Sequence, residues 1–371
     1  MNVQYDPIIL HNISTSNRSK WKMRQNCKLK NLFFMSIGVL TLTLIRNMTL
    51  LHTPRMTQVT EFIGNLFAPK DVDIKCLNMT TWDNDIIEAF NRLKERGIIS
   101  CDYDYLHLQS QLQRWPEDKP KAFIYFLIRF ENLQRLITSL TLLDMYFNNR
   151  FQYPIVIFHE KESSYDALRL KIRSSTNSTV YFQLVSFEMP EFLPKNLTQR
   201  FCTWRLGYRH MCSFHAKLIY EQVIIRGFEF AWRLDDDSEI LRPIHYDVFQ
   251  FMRNNSFQYG YVMVVNEDPG CTVNLWESVE FYIQNTSTNT TFFKQWHKYS
   301  MFYNNFEISR LSLWLSDDYQ NYIQYIDGLG GIYYNRWGDA PIKTLAVSMF
   351  VHWNQTHHFK DIGYRHQSST N

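Results

Sequence analysis

The chain alternates continuous apolar runs with amphipathic segments, and that alternation leaves few folds open. Ala122 to Ile128 (AFIYFLI) and Tyr153 to Phe158 (YPIVIF) carry no charge, so each predicts a strand buried on both faces. Between them, Leu133 to Phe147 repeats its apolar residues at helical spacing, which completes a βαβ unit. Val180 to Phe187 reads as another strand, Met211 to Arg226 as a helix, and Phe228 to Leu234 (FEFAWRL) as a further buried strand. Strands separated by helices predict an α/β fold, Rossmann-like, with a mainly parallel sheet flanked by helices. In such sheets, ligands sit beyond the carboxyl ends of the strands.

The last of these strands runs straight into Asp235, Asp236 and Asp237. Carboxylates at a strand end hold a divalent ion well, and an ion there bridges the phosphates of a nucleotide. A solvated acidic turn or a helix N-cap fits the same spacing. Oxygen ligands favour Mn²⁺ or Mg²⁺ over zinc. No G-x-x-x-x-G-K-[ST], G-x-G-x-x-G or G-x-S-x-G occurs, which disfavours P-loop enzymes, dinucleotide oxidoreductases and nucleophile-elbow hydrolases.

Charge is unevenly placed. Residues 1–30 carry six Lys or Arg (Arg18, Lys20, Lys22, Arg24, Lys28, Lys30) against the single acid Asp6, so the positive charge sits on a tail. A nucleic-acid partner is disfavoured, because a duplex-binding surface needs its cations on the folded part. Behind the tail, residues 31–51 are mostly apolar and carry no charge apart from Arg46, and at about 1.5 Å per residue they reach roughly 32 Å, enough for one membrane span. Cations before the span keep the N-terminus in the cytosol and place the rest in a lumen. Seven N-x-S/T sequons past the span, at Asn78, Asn177, Asn196, Asn254, Asn285, Asn289 and Asn354, agree with that orientation. Five cysteines fall on the luminal side (Cys76, Cys101, Cys202, Cys212, Cys271), so at least one is left over from intrachain pairing. Residues 52–118 read as a stem followed by an N-terminal extension, in which Thr81 to Arg96 is helical and is flanked by Cys76 and Cys101.

The C-terminal third carries a resemblance. The blocks NFEI at 305–308, GGIYYNRWGDAP at 330–341 and HHFKDIGYRH at 357–366 are long, ordered and rich in rare residues. Together with YRHMCSF at 208–214, WRLDDD at 232–237, LWESV at 275–279 and FLIRFENL at 126–133, the stretch resembles the fungal α-1,2-mannosyltransferases, glycosyltransferase family 15. The likeness covers Ala122 to His366 and implies a GT-A fold, with a single catalytic domain over residues 119–371. It also implies a Golgi membrane protein of type II, transferring mannose from GDP-mannose to a glycoprotein or glycolipid glycan, with retention of configuration and a manganese ion assisting.

Carried over residue by residue, the resemblance makes Asp235, Asp237 and His357 the metal ligands, with His358 adjacent to the last. Glu307 is the candidate nucleophile or sugar-positioning residue, with Glu277 second. Asp339 is expected to bind donor or acceptor hydroxyls behind a turn at Gly338, and Arg129, Tyr208, Asp235 and Arg336 to face the donor. Two positions depart from the family pattern. Asp235-Asp236 replaces Glu-Pro, shortening the first ligand by one bond of roughly 1.5 Å, and Ser213 replaces an Arg. These departures leave two alternatives: a GT-A transferase using another nucleotide sugar, or a luminal glycan-binding relative without turnover.

Overall fold

A computed structural model describes residues 103–161, 165–193, 206–367 and 369–370. The chain divides into two compact units, Met1–Ser100 and Cys101–Asn371. The first unit lies outside the described residues, and with it the basic tail, the apolar segment at 31–51, the helix expected at Thr81 to Arg96, and Asn78 and Cys76. Asn196, Cys101 and Cys202 also fall outside. Among the described residues, no helix is long and apolar enough to cross a membrane.

Helix α1 (Tyr103–Gln113) precedes strand β1 (Ala122–Ile128), which keeps the boundaries its apolar run predicts and is buried along nearly its whole length. Helix α2 (Leu133–Leu143) turns Leu136, Leu140 and Leu143 inward and runs on through a wide π-helical turn at Asp144–Asn148. Strand β2 (Ile155–His159), helix α3 (Tyr165–Ser174) and strand β3 (Val180–Leu184) repeat the unit. Asp104 of α1 binds this unit together: its carboxylate pairs with Arg169 and Arg173 and accepts the Phe182 N–H at 2.8 Å. Helix α1, within the segment expected to be an extension, therefore packs as part of the same body.

Helix α4 (Leu206–Ser213) starts five residues before its expected position and continues through a second π-helical turn, Phe214–Leu218. Strand β4 (Phe230–Leu234) is wholly buried, with Trp232 packed edge-on against Phe147 and Phe306. After a tight turn come β5 (Ser238–Ile240) and helix α5 (Val248–Asn254), capped by the Asp247 carboxylate, which accepts the Phe249 and Gln250 N–H groups. The C-terminal part adds β6 (Tyr259–Tyr261), β7 (Val264–Asn266), α6 (Leu275–Thr286), β8 (Ser300–Phe302) and β9 (Phe306–Arg310). It closes with α7 (Leu311–Trp314), α8 (Asp317–Gly328), α9 (Gly331–Tyr334), α10 (Asp339–Phe350), β10 (Thr356–His358), β11 (Tyr364–His366) and β12 (Ser369–Thr370).

The main sheet has seven strands in the order β10-β6-β9-β4-β1-β2-β3. Four pairings are parallel, β1 with β2 and β4, β2 with β3, and β6 with β10, as the alternation of strand and helix predicts. Strand β9 is the exception and runs antiparallel to both β4 and β6, with Arg233 opposite Glu307. A smaller sheet, β12-β11-β5, lies at the carboxyl end of β4 and sets His366 opposite Ser238. Cys271 is in a disulfide, while Cys212 is a buried free thiol.

Candidate active site

Arg233, on a strand otherwise without charge, organises the end of β4. It is buried, so its cation needs full compensation. Nε and Nη2 lie 3.2 and 3.1 Å from Asp235 Oδ1, and Nη1 pairs with Asp339 Oδ2. Asp339 stands in the first turn of α10, where a negative charge is favoured. The Asn304 amide donates to it at 2.8 Å, and the Cys212 thiol, itself hydrogen-bonded to Tyr208, bonds to it as well. Burial alone would raise this carboxyl's pKa, but Arg233, His215 and the hydrogen bonds outweigh it and hold it near 2.

The aspartate turn is closed by Ser238, whose hydroxyl accepts the Asp235 N–H and whose own N–H returns to the Asp235 carbonyl, both at 3.0 Å. This turn brings Asp235 and Asp237 to one histidine. Nε2 of His366 is 2.9 Å from Asp237 Oδ1 and 3.6 Å from Asp235 Oδ2, and the hydrogen bond it donates lowers the Asp237 pKa. Its Nδ1 lies 2.9 Å from the Tyr303 hydroxyl. With Nε2 facing two carboxylates, the network assigns the proton to Nε2 and makes Nδ1 the acceptor. The expected ligand His357 is elsewhere. It sits on the edge strand β10, its ring 4.6 to 4.8 Å from those of Phe251, Phe257 and Phe359, and burial lowers its pKa. Neighbouring His358 bonds the Val262 carbonyl. Asp236 turns the other way, toward Asn132, and burial raises its pKa to about 6.

Glu307 lies one strand over, in β9, and is buried. Oε1 accepts from Lys343 Nζ at 2.6 Å and from the Ser309 hydroxyl at 3.0 Å, and Oε2 from the Tyr259 hydroxyl at 3.3 Å. Lys343 follows Asp339 by one helical turn, so α10 offers an acid to Arg233 and a base to Glu307 from one face. The ammonium lies 4.2 Å from the Trp314 ring, a cation–π contact without access to water.

At the rim, Arg336 adopts a left-handed backbone (φ 64°) and sets its guanidinium 4.2 Å from the Tyr208 ring. A non-glycine residue there stores on the order of 1–3 kcal/mol of strain, and such residues gather at ligand clamps. Arg129, just past the end of β1, lies against Gly207 so closely that a Cβ on Gly207 would fall 1.7 Å from its Nη2. Ser213, where the resemblance has Arg, is buried and shares a hydrogen bond with Tyr333. Glu277 is not brought in: it is paired with Lys298 at 2.5 Å on the exposed face of α6.

The structure thus gathers Asp235, Asp237, Asp339, Glu307, Tyr208 and Arg336 around the end of β4 and its neighbours, and leaves His357 and Glu277 apart. Arg233, Lys343, His366 and Tyr303 were missed. Two of them carried a readable signal, because an Arg in FAWRL and a Lys in the apolar helix DAPIKTLAVSMF each demand a buried counter-ion.

Among the described residues, no three His, Cys, Asp or Glu side chains form a metal cage by themselves. The donors at the Asp235–Asp237–His366 junction are nevertheless of the kind a hard divalent ion takes with phosphate oxygens completing its shell. The Tyr303 hydroxyl can accept from Nδ1 as readily as donate to it, which lets the His366 tautomer switch and frees the Nε2 lone pair.

A family model described as glycolipid 2-alpha-mannosyltransferase matches residues 91–371. The chain is 28% identical over 265 residues to a probable mannosyltransferase MNT3 of Candida albicans, covering 67% of this chain and 70% of that protein. It is 27% identical over 296 residues to the alpha-1,2 mannosyltransferase KTR1 of Saccharomyces cerevisiae, covering 74% and 75%. Among solved structures, the mannosyltransferase Ktr4p from S. cerevisiae in complex with GDP superposes with a TM-score of 0.63 at 25% identity, over 72% of this chain and 81% of that one. Core-mannan synthase A from Aspergillus fumigatus, in its Mn/GDP form, gives 0.64 at 23%, over 68% and 76%.

Proposed function

Because the chain belongs to the glycolipid 2-alpha-mannosyltransferase family, and so is a glycosyltransferase of the α-1,2-mannosyltransferase type, we propose that it transfers mannose from GDP-mannose to a mannose-bearing glycan with retention. The observation that carries this reading is the meeting of Asp235, Asp237 and His366 beside the Arg233–Asp339 and Lys343–Glu307 pairs. Asp235, Asp237 and His366 would hold a manganese or magnesium ion, which when bound offsets charge on the diphosphate of the donor. Arg336 and Arg129 suit the same diphosphate from the rim. Asp339, fixed and ionised by Arg233, is a ready acceptor for sugar hydroxyls. Glu307 supplies negative charge opposite the cation that develops at the anomeric carbon. Its three donors already engage both oxygens, which favours charge stabilisation over bond formation.

Golgi residence and a type II anchor belong to the same proposal, and the basic tail followed by the apolar segment 31–51 supports them.

The test is release of GDP from GDP-mannose by the purified full chain, with and without Mn²⁺, with α-methyl-mannoside as acceptor. Metal-dependent release stimulated by the acceptor is expected. A folded protein that turns over a different nucleotide sugar, or none, overturns the donor assignment. A glycosyl adduct on Glu307 in intact-mass analysis would overturn its role as a charge alone.

A further inference from the structure

Among the described residues, the main sheet ends in two edge strands, β3 and β10, and each begins at a sequon. Thr179, the hydroxyl residue of the Asn177 sequon, immediately precedes β3; Thr356, that of the Asn354 sequon, is the first residue of β10. An exposed asparagine is ordinary, and all five within the described residues are exposed. Their grouping is not ordinary. Gln258 N donates to the Gln355 carbonyl at 2.7 Å, which ties the segment after Asn254 to the start of β10. Thr291 donates through its N–H to Met349 at 3.1 Å and through its hydroxyl to Val351 at 2.7 Å, which brings the Asn289 loop to the same place. Three sequons converge on one edge.

The edges differ in their other protection. Along β3, the Asp104 carboxylate takes the Phe182 N–H and Arg173 reaches the Val180 carbonyl at 3.4 Å. Beside β10 stands Trp353, 52% exposed, resting on Phe292 and Trp296 at 5.3 and 6.2 Å. An open edge next to an exposed indole is a template for association between chains.

We propose that N-linked glycans on Asn254, Asn289 and Asn354 screen the β10 edge and Trp353 from other chains. The inference rests on the luminal placement proposed above. In the modification, the asparagine amide nitrogen bonds to the anomeric carbon of an oligosaccharide carried on a lipid diphosphate. The diphosphate leaves with the bonding electron pair, and the amide loses one proton. Asn177, at the far edge, is an internal control for translocation.

The full chain is expressed in a eukaryotic secretory host, extracted in detergent, and each sequon's occupancy is read by glycopeptide mass spectrometry. The folded protein is then trimmed by an endoglycosidase to the first sugar, and its aggregated fraction is followed by size-exclusion chromatography. Expected are glycans at Asn254, Asn289 and Asn354, a several-fold rise in aggregated protein on trimming, and loss of that rise in Trp353→Lys, which puts a charge at the edge. Glycan on Asn177 with the other three bare overturns the screen and leaves the luminal placement standing. All five bare removes the luminal placement and the screen with it. Three occupied sites whose trimming changes nothing overturn the screening role alone.

Discussion

At the scale of single residues, the site is built on buried charges that are paired: Lys343 with Glu307, and Arg233 with both Asp339 and Asp235. Replacing Lys343 with Met leaves Glu307 ionised and unpaired in the core, at a cost of about 3–5 kcal/mol. Chemical denaturation should show that loss, and adding Glu307→Gln should recover much of it, because the two side chains act as one unit. Asp339 has its carboxyl pKa lowered to about 2, so its contribution is present above the ordinary carboxylate range and is lost as pH falls through about 4 to 2. Asp339→Asn should therefore cost about 2 kcal/mol at pH 7 and little near pH 2. Asp236 runs in the opposite sense. Its pKa is raised, so its ionisation opposes folding as pH climbs from about 4 to 6. Asp236→Asn is expected to stabilise the protein at pH 7.5 by about 1 kcal/mol, after allowance for solvent screening, and to leave it unchanged at pH 4. His366→Ala should abolish metal-dependent GDP release, whereas His357→Ala should keep turnover within a few-fold of the parent. Equal losses in the two variants would sink the assignment of His366 to the ion.

At the scale of elements, the apolar runs were legible because a strand buried on both faces leaves no other place for seven consecutive uncharged residues. That is why β1 keeps its expected limits and why the strand before the aspartates lies within FEFAWRL, although it begins two residues later than expected, at Phe230. The choice among histidines was not legible. HHFKDIGYRH holds three, and only the antiparallel pairing of β11 with β5 decides which one faces Asp237. Nor did helical spacing reveal where α4 begins. Its first residues matter because Gly207 leaves room for the Arg129 guanidinium. Gly207→Ala would displace that flexible side chain without disturbing the core. It should raise KM for the donor with little change in Tm, and combining it with Arg129→Ala should add little further.

At the scale of the whole molecule, the alternation of strand and helix conveyed the mainly parallel sheet, but not the reversed strand between β6 and β4. Strand β9 is short, and nothing in FEISR distinguishes a strand entering from the opposite direction. That reversal sets Arg233 directly across from Glu307, on segments far apart in sequence, and ties each to α10. A slip of one residue between β4 and β9 would put Ile308 or Phe306 opposite Arg233 and turn Glu307 to the other face of the sheet, away from Lys343. The same two ion pairs therefore act as a proofreading device for assembly: a misaligned sheet strands buried charge and comes apart, so the charges that equip the site also certify that it has been put together in register.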